Sequence, residues 1–188
     1  MTGYKRFPPD PPIKKATAVL IAAILALFVV VASARASEGH AVTVRELTLV
    51  VAHMGPKSRA SVACLSPKAW KSSLKAQNLL GKGQLVRGWT NIYARKVRYP
   101  KWVCRAIDDP YRDLNAFALA LGVISHEGTH LGGVRSEAVA ACAALDKPIR
   151  LAWAFYNIPF EHPFIVTILR VNRNEHFRLP PRYHEVCK

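Results

Sequence analysis

The sequence predicts an α+β domain, mainly helical, built around one buried central helix and preceded by a single N-terminal transmembrane or signal helix. Three observations lead there. Ala16 to Ala34 runs without a charge, Leu114 to Ile124 is apolar nearly all round, and strand-like composition is concentrated in Gln84 to Val97. At 188 residues the chain fits one domain plus an appendage. Hydrophobic residues at 51% and charged ones at 21% argue against disorder and against a multi-span membrane protein.

Residues 1–15 form a basic segment carrying Lys5, Arg6, Lys14 and Lys15, expected in the cytoplasm. Residues 16–36 follow as a membrane anchor or a signal peptide. A helix over residues 16–34 is about 28 Å long, roughly a bilayer's hydrocarbon core, and Ala34-Arg35-Ala36 is a small-residue cleavage site. The length of the apolar run favours an anchor. Either way, residues 37–188 are expected outside the cytoplasm, membrane-tethered or secreted.

Ala41 to Met54 is rich in β-branched residues but has no clean period, so strand and helix both fit. Ser66-Pro67 is a helix start, and that helix should run to about Asn78, before Gly81-Lys82-Gly83. Gln84 to Val97 reads as a hairpin around a Gly88 turn. Asp109-Pro110 offers an N-cap and first-turn proline for the central helix, which should end at Gly132-Gly133. A second helix is expected from Ser136 toward Leu145 with a break near Pro148. Apolar segments follow at Ile149–Tyr156 and Phe164–Val171, and the tail through Leu179-Pro180-Pro181 to Cys187 should lie extended on the surface. Trp70, Trp89, Trp102 and Trp153 are expected as core or interfacial anchors.

The formal net charge is +15, and it is unevenly placed. No acidic residue occurs from Leu47 to Ile107, whereas Lys57, Arg59, Lys68, Arg87, Arg98 and Arg105 are among the basic ones there. The 57–105 region is either a solvated basic face or a surface for anionic lipid or an acidic cell-surface polymer. Nucleic acid ranks last, because no nucleic-acid-binding signature accompanies the charge. Cys64, Cys104, Cys142 and Cys187 all follow the apolar segment, and an even count in an exported domain predicts two disulfides. A Cys104–Cys142 bond would clamp the elements on either side of the Gly-Gly bend and leave Cys64 to pair with Cys187.

The residues that carry chemistry are His126-Glu127-Gly128-Thr129-His130. Two histidines four apart share one helix face, so both imidazoles can reach one ion. Glu127 beside them can take a proton from a water at that ion and hand it to a leaving amine. Burying these groups without a partner would be costly, and a metal supplies one. Glu137 is the expected third ligand. On an unbroken helix it would lie about 10.5 Å along the axis from His130, but Gly132-Gly133 can end the helix and reverse the chain. Asp146, Glu161, His162, His176 and His184 are the reserve ligands.

The segment from His126 to Ala140 resembles the zincin metallopeptidases. Glu137-Ala138-Val139-Ala140 is similar to the second-helix ExxA motif of the gluzincins, although in that group the second helix usually comes much later in the chain. Gly133 falls where the metzincins keep the glycine of HExxHxxGxxH, but Ser136 stands at the third histidine. The arrangement also resembles small exported actinobacterial proteins with a lone HExxH and no assigned activity. The resemblance implies a zincin-like domain in which a zinc-activated water attacks a peptide bond with Glu127 as general base. It also implies an oxyanion donor, for which Tyr156, His162, His176, Tyr183 and His184 are the candidates. The alternatives are a non-catalytic, zinc-stabilised protein and a basic, disulfide-bonded interaction protein of the cell surface.

Overall fold

Thr43 begins the first helix with a reciprocal cap. Its hydroxyl accepts from the Glu46 amide at 3.2 Å, and the Glu46 carboxylate accepts from the Thr43 amide at 2.8 Å. That gives the ambiguous stretch a helix over Val44–Val51, α1. The computed structural model describes residues 42–80, 86–183 and 187, and the 16–36 segment and His184 lie outside them. No helix among the described residues is long and apolar enough to cross a membrane.

The remaining elements are β1 (Ser61–Leu65), α2 (Pro67–Ala76), β2 (Trp89–Asn91), β3 (Lys96–Pro100), α3 (Lys101–Asp108), α4 (Leu114–Leu131), α5 (Glu137–Tyr156) and α6 (Pro163–Phe177). A short 3-10 turn follows at Pro181–Tyr183. The domain is α+β and mainly helical. Ser66 caps α2 with Pro67 in its first turn, as its sequence predicts. The sheet has order β1-β3-β2, with β1 parallel and β2 antiparallel to β3. It therefore holds one strand more than the expected hairpin. The β2–β3 turn is also not at Gly88: it spans Ile92–Arg95, where the Asn91 side chain accepts from the Ala94 amide at 2.8 Å and Arg95 takes φ 48°.

Helix α4 is the centre of the domain. Nearly every residue from Phe117 to Leu131 is buried, as an all-apolar helix requires. Around it pack α1, α3, α5, α6 and the β2–β3 edge of the sheet. Two close approaches depend on glycine: a methyl on Gly128 would stand 2.7 Å from Val51 Cβ in α1, and one on Gly122 would collide with Asn172 in α6. Val97 and Tyr99 point from β3 into this core, where the Tyr99 and Thr48 hydroxyls meet at 3.0 Å.

Four further expectations need correction. Asp109-Pro110 does not start α4. Asp109 is the C-cap of α3, because the residue before a proline is driven out of the helical region, and Asp113 caps α4 by accepting from the Asn115 and Ala116 amides at 3.0 Å each. Pro148 does not break α5, which continues to Tyr156. Its packing on both sides of the proline, through Ala140, Ala141, Leu151 and Ala152, outweighs a cost of about 3 kcal/mol. The cysteines form two disulfides, but as Cys64–Cys104 and Cys142–Cys187. The parallel register that sets Leu65 opposite Pro100 brings Cys64 beside the first turn of α3, which carries Cys104. The tail makes the 3-10 turn against α5 instead of lying extended, which delivers Cys187 to Cys142.

Candidate metal centre

The last two turns of α4 carry His126, Glu127 and His130, and the way α4 ends decides what they meet. Gly133 takes φ 103°, a left-handed value natural to glycine. Its amide bonds to the His130 carbonyl at 2.9 Å, and the Val134 amide bonds back to the Thr129 carbonyl at 3.3 Å. This pair of bonds satisfies the helix end and reverses the chain. Ser136 then caps α5, accepting from the Val139 amide at 3.3 Å. Glu137 becomes the first residue of α5 and faces back toward both imidazoles.

His126, His130 and Glu137 form a group that could hold a metal ion. The two Nε2 atoms are 3.2 Å apart, Glu137 Oε2 is 3.2 Å from His126 Nε2, and Glu137 Oε1 is 3.4 Å from His130 Nε2. The two Glu137 contacts are made by different carboxylate oxygens, and one donor atom from each of the three residues lies within 4.8 Å of the others, close enough to reach a common ion. The tautomer is also suitable. His130 Nδ1 lies 2.6 Å from the Val134 carbonyl, which can only accept, so Nδ1 carries the hydrogen and leaves the Nε2 lone pair for an ion. One turn thus reverses the chain and orients a candidate ligand.

The same contacts set the proton affinities. Burial would lower the His130 pKa, but the bonds to Glu137 and to the Val134 carbonyl outweigh it and raise the value. Hydrogen bonds from His126 and then His130 hold the Glu137 carboxyl well below the usual carboxylate range. Burial raises the Glu127 carboxyl, ahead of the opposing pull of His126 and of a hydrogen bond from Thr90. Glu127 is only 6% exposed. Thr90 Oγ1, from β2, donates to its carboxylate at 2.7 Å, and Gly88 lies so close that an added methyl would stand 2.7 Å from Glu127 Cγ.

All four residues line a cavity of about 1010 Å³. Its other walls include Trp89 and Ile92 at the β2 edge, Arg135 between the two helices, Asn172 and Glu175 of α6, and Leu179, Pro180 and Tyr183 of the tail. The remaining sequence candidates separate on this wall. His176 and Tyr183 line the cavity, whereas Tyr156 donates to the Ile107 carbonyl at 3.2 Å and His162 caps α6. Asp146, Glu161, His162 and His176 stay outside the metal-ligand group. Trp153 is half exposed and stacks on Phe160, and Trp89 donates to Ser73 Oγ at 2.8 Å. Sequence reasoning read Gly88 only as a turn and missed its and Thr90's approach to Glu127, which no motif marks. It also missed the Arg87–Glu175 pair at 2.6 Å, which no spacing rule connects. Compared with protein-family models, curated proteins and solved structures, the chain matches none.

Proposed function

We propose that the chain is a zinc-dependent hydrolase, a membrane-tethered or secreted metallopeptidase in which Glu127 is the general base. The observation that carries the reading is the convergence of His126, His130 and Glu137, with one donor atom from each within 4.8 Å of the others, on the wall of a large cavity that Glu127 also lines. Two imidazoles and one carboxylate suit zinc and leave a fourth position for water or substrate. When bound, zinc supplies a water of lowered pKa and polarises the scissile carbonyl.

The chain's residues do the rest. Glu127 takes the proton from the attacking water and returns it to the leaving amine. Its buried carboxyl, raised above the ordinary value, is suited to that shuttle, and Thr90 holds it in place. His176 and Tyr183 are the oxyanion donors that the cavity offers. β2 is an edge strand and lines the cavity, so an extended peptide has main-chain groups to pair with. Two disulfides suit an oxidising compartment, in keeping with export through the 16–36 segment.

The test is zinc stoichiometry and peptide cleavage by the purified 188-residue chain. One zinc per chain is expected. Glu127→Gln should keep the metal and lose about 10²–10⁴-fold in cleavage rate, whereas His126→Ala and His130→Ala should lose both metal and thermal stability. A protein that takes up no stoichiometric zinc, or one whose cleavage survives Glu127→Gln, would overturn the proposal.

A further inference from the structure

The cavity wall carries more cation than its acidic residues absorb. Apart from the metal ligands and Glu127, the ionised carboxylate and guanidinium groups on it are Glu175, Arg87, Arg178 and Arg135. Glu175 is bound by two of them at once, Arg87 at 2.6 Å and Arg178 at 2.9 Å, which leaves that cluster with a surplus positive charge. Arg135 is different. Among the described residues no carboxylate lies within ion-pair distance of it, and its guanidinium sits over the Tyr93 ring, 5.3 Å from the centroid. Glu137, its only acidic near neighbour in sequence, turns its carboxylate to the imidazoles instead.

Position gives this cation a use. Arg135 lies in the connection between α4 and α5, two residues before the ligand Glu137, so its backbone is within about 7 Å of that ligand's. Stacking on Tyr93 restricts the long side chain and keeps its planar donor fork available. A guanidinium with no carboxylate partner among the described residues, on the wall of a water-accessible cavity, fits a planar carboxylate with two parallel hydrogen bonds.

We propose that Arg135 is a specificity-determining residue that selects peptides carrying a carboxylate one or two residues from the scissile bond. The carboxylate is either an acidic side chain or a free C-terminus. Tyr93 holds the guanidinium in place, and the surplus charge on the Arg87–Glu175–Arg178 cluster adds to the attraction. The inference rests on the hydrolase reading for its catalytic consequence but not for its binding consequence.

The experiment uses N-acetylated hexapeptides in two series, with the zinc-loaded chain. One series is C-terminally amidated and carries Asp, Glu, Asn, Gln or Lys at each position in turn. The other is neutral within the chain and ends in a free carboxylate. Acidic or free-acid peptides should exceed their neutral partners by ten- to hundredfold in kcat/KM, the ratio expected of one charge-assisted hydrogen-bonded pair. Preference in the amidated series assigns the side chain, and preference in the second series assigns the terminus. Arg135→Ala should collapse the ratio, mainly through KM, and Arg135→Glu should turn it toward Lys. Binding of the same peptides to the Glu127→Gln protein, read by fluorescence anisotropy, measures the preference without turnover. If nothing is cleaved but that protein binds acidic peptides in an Arg135-dependent way, the hydrolase reading fails and the anion site stands. If cleavage occurs with no charge preference, or if Arg135→Ala affects all peptides equally, the anion site fails and the hydrolase reading stands.

Discussion

Replacing Gly88 by alanine should disable Glu127 without touching the metal. The new methyl would stand 2.7 Å from Glu127 Cγ, 2.9 Å from Oε1 and 3.0 Å from Cδ. Ordinary carbon contacts are about 3.5–4.0 Å, so the side chain must withdraw by roughly 1 Å. It has little room to do so, because it is 6% exposed and the Thr90 hydroxyl holds its carboxylate at 2.7 Å. Gly133 is the one positive-φ glycine among the described residues, so the Gly88 backbone itself accepts alanine. Overpacking should cost about 1–3 kcal/mol, partly offset by the reduced freedom of the unfolded chain. A net loss of about 1–2 kcal/mol lowers the Tm of a domain this size by roughly 3–6 °C. A catalytic group misplaced by about 1 Å costs on the order of 100-fold, about 2.7 kcal/mol in the barrier. Steady-state cleavage and zinc stoichiometry measured together test this: kcat should fall about 100-fold with zinc unchanged. The shorter Glu127→Asp side chain should absorb most of the clash, so the two substitutions should be strongly non-additive. Unchanged kcat in Gly88→Ala, loss of zinc, or additivity with Glu127→Asp would refute the reasoning.

The other expectations follow from the packing around α4 and from the ligands' protons. Gly128→Ala places a methyl 2.7 Å from Val51 Cβ and 3.1 Å from the Thr48 carbonyl, so it should destabilise by about 1–3 kcal/mol despite a gain of about 1 kcal/mol in helix propensity; Val51→Ala in the same chain should recover part of the loss in a denaturant titration. Metal affinity should rise with pH, because an ion must displace the proton whose hold on His130 is raised above the ordinary 6.5. In the metal-free protein the linkage is opposite in sign. The raised His130 stabilises below pH 6.5 and that contribution fades as pH rises through its folded value, while the depressed Glu137 stabilises above 4.5 and fades as pH falls. Melting curves should therefore show their combined contribution fullest between pH 4.5 and 6.5 without metal, and should show stability rising with pH when zinc is present. Each disulfide closes a segment of 40 or 45 residues, worth about 4 kcal/mol of unfolded-chain entropy, and non-reducing peptide mapping should recover Cys64 with Cys104 and Cys142 with Cys187. Loss of the second bond should also raise KM, since the tail it secures lines the cavity through Pro180 and Tyr183.

How far the site was legible depends on the distance along the chain over which each contact acts. His126, Glu127 and His130 are placed by one helical turn, and a fixed spacing is enough to show that they share a face. Glu137 is brought beside the imidazoles by a bend of five residues whose glycines are written in the sequence, so that proximity was legible too. Thr90 and Gly88 reach Glu127 from 37 and 39 residues earlier, through the pairing of β2 with β3 and the packing of β2 on α4. No local pattern encodes a register of that kind, and a threonine or glycine in a short strand is among the least informative of signals. Misreadings of the fold have the same origin. Pro110 lies in the short connection between two helices, and local chemistry alone does not decide whether it ends α3 or starts α4. Pro148 survives inside α5 because of neighbours on α4 and α6 that sequence proximity does not reveal. The cysteine pairing turned on the parallel β1–β3 register, a contact with a crossover of some thirty residues between its strands. The sequence thus exposes the candidate ligands, which a helix and its end position by themselves, and hides the groups that hold the proposed base. Those hidden groups are the ones whose substitution should separate metal binding from turnover. The zinc and kcat readouts of Gly88→Ala therefore test the fold's contribution to the site independently of the motif's.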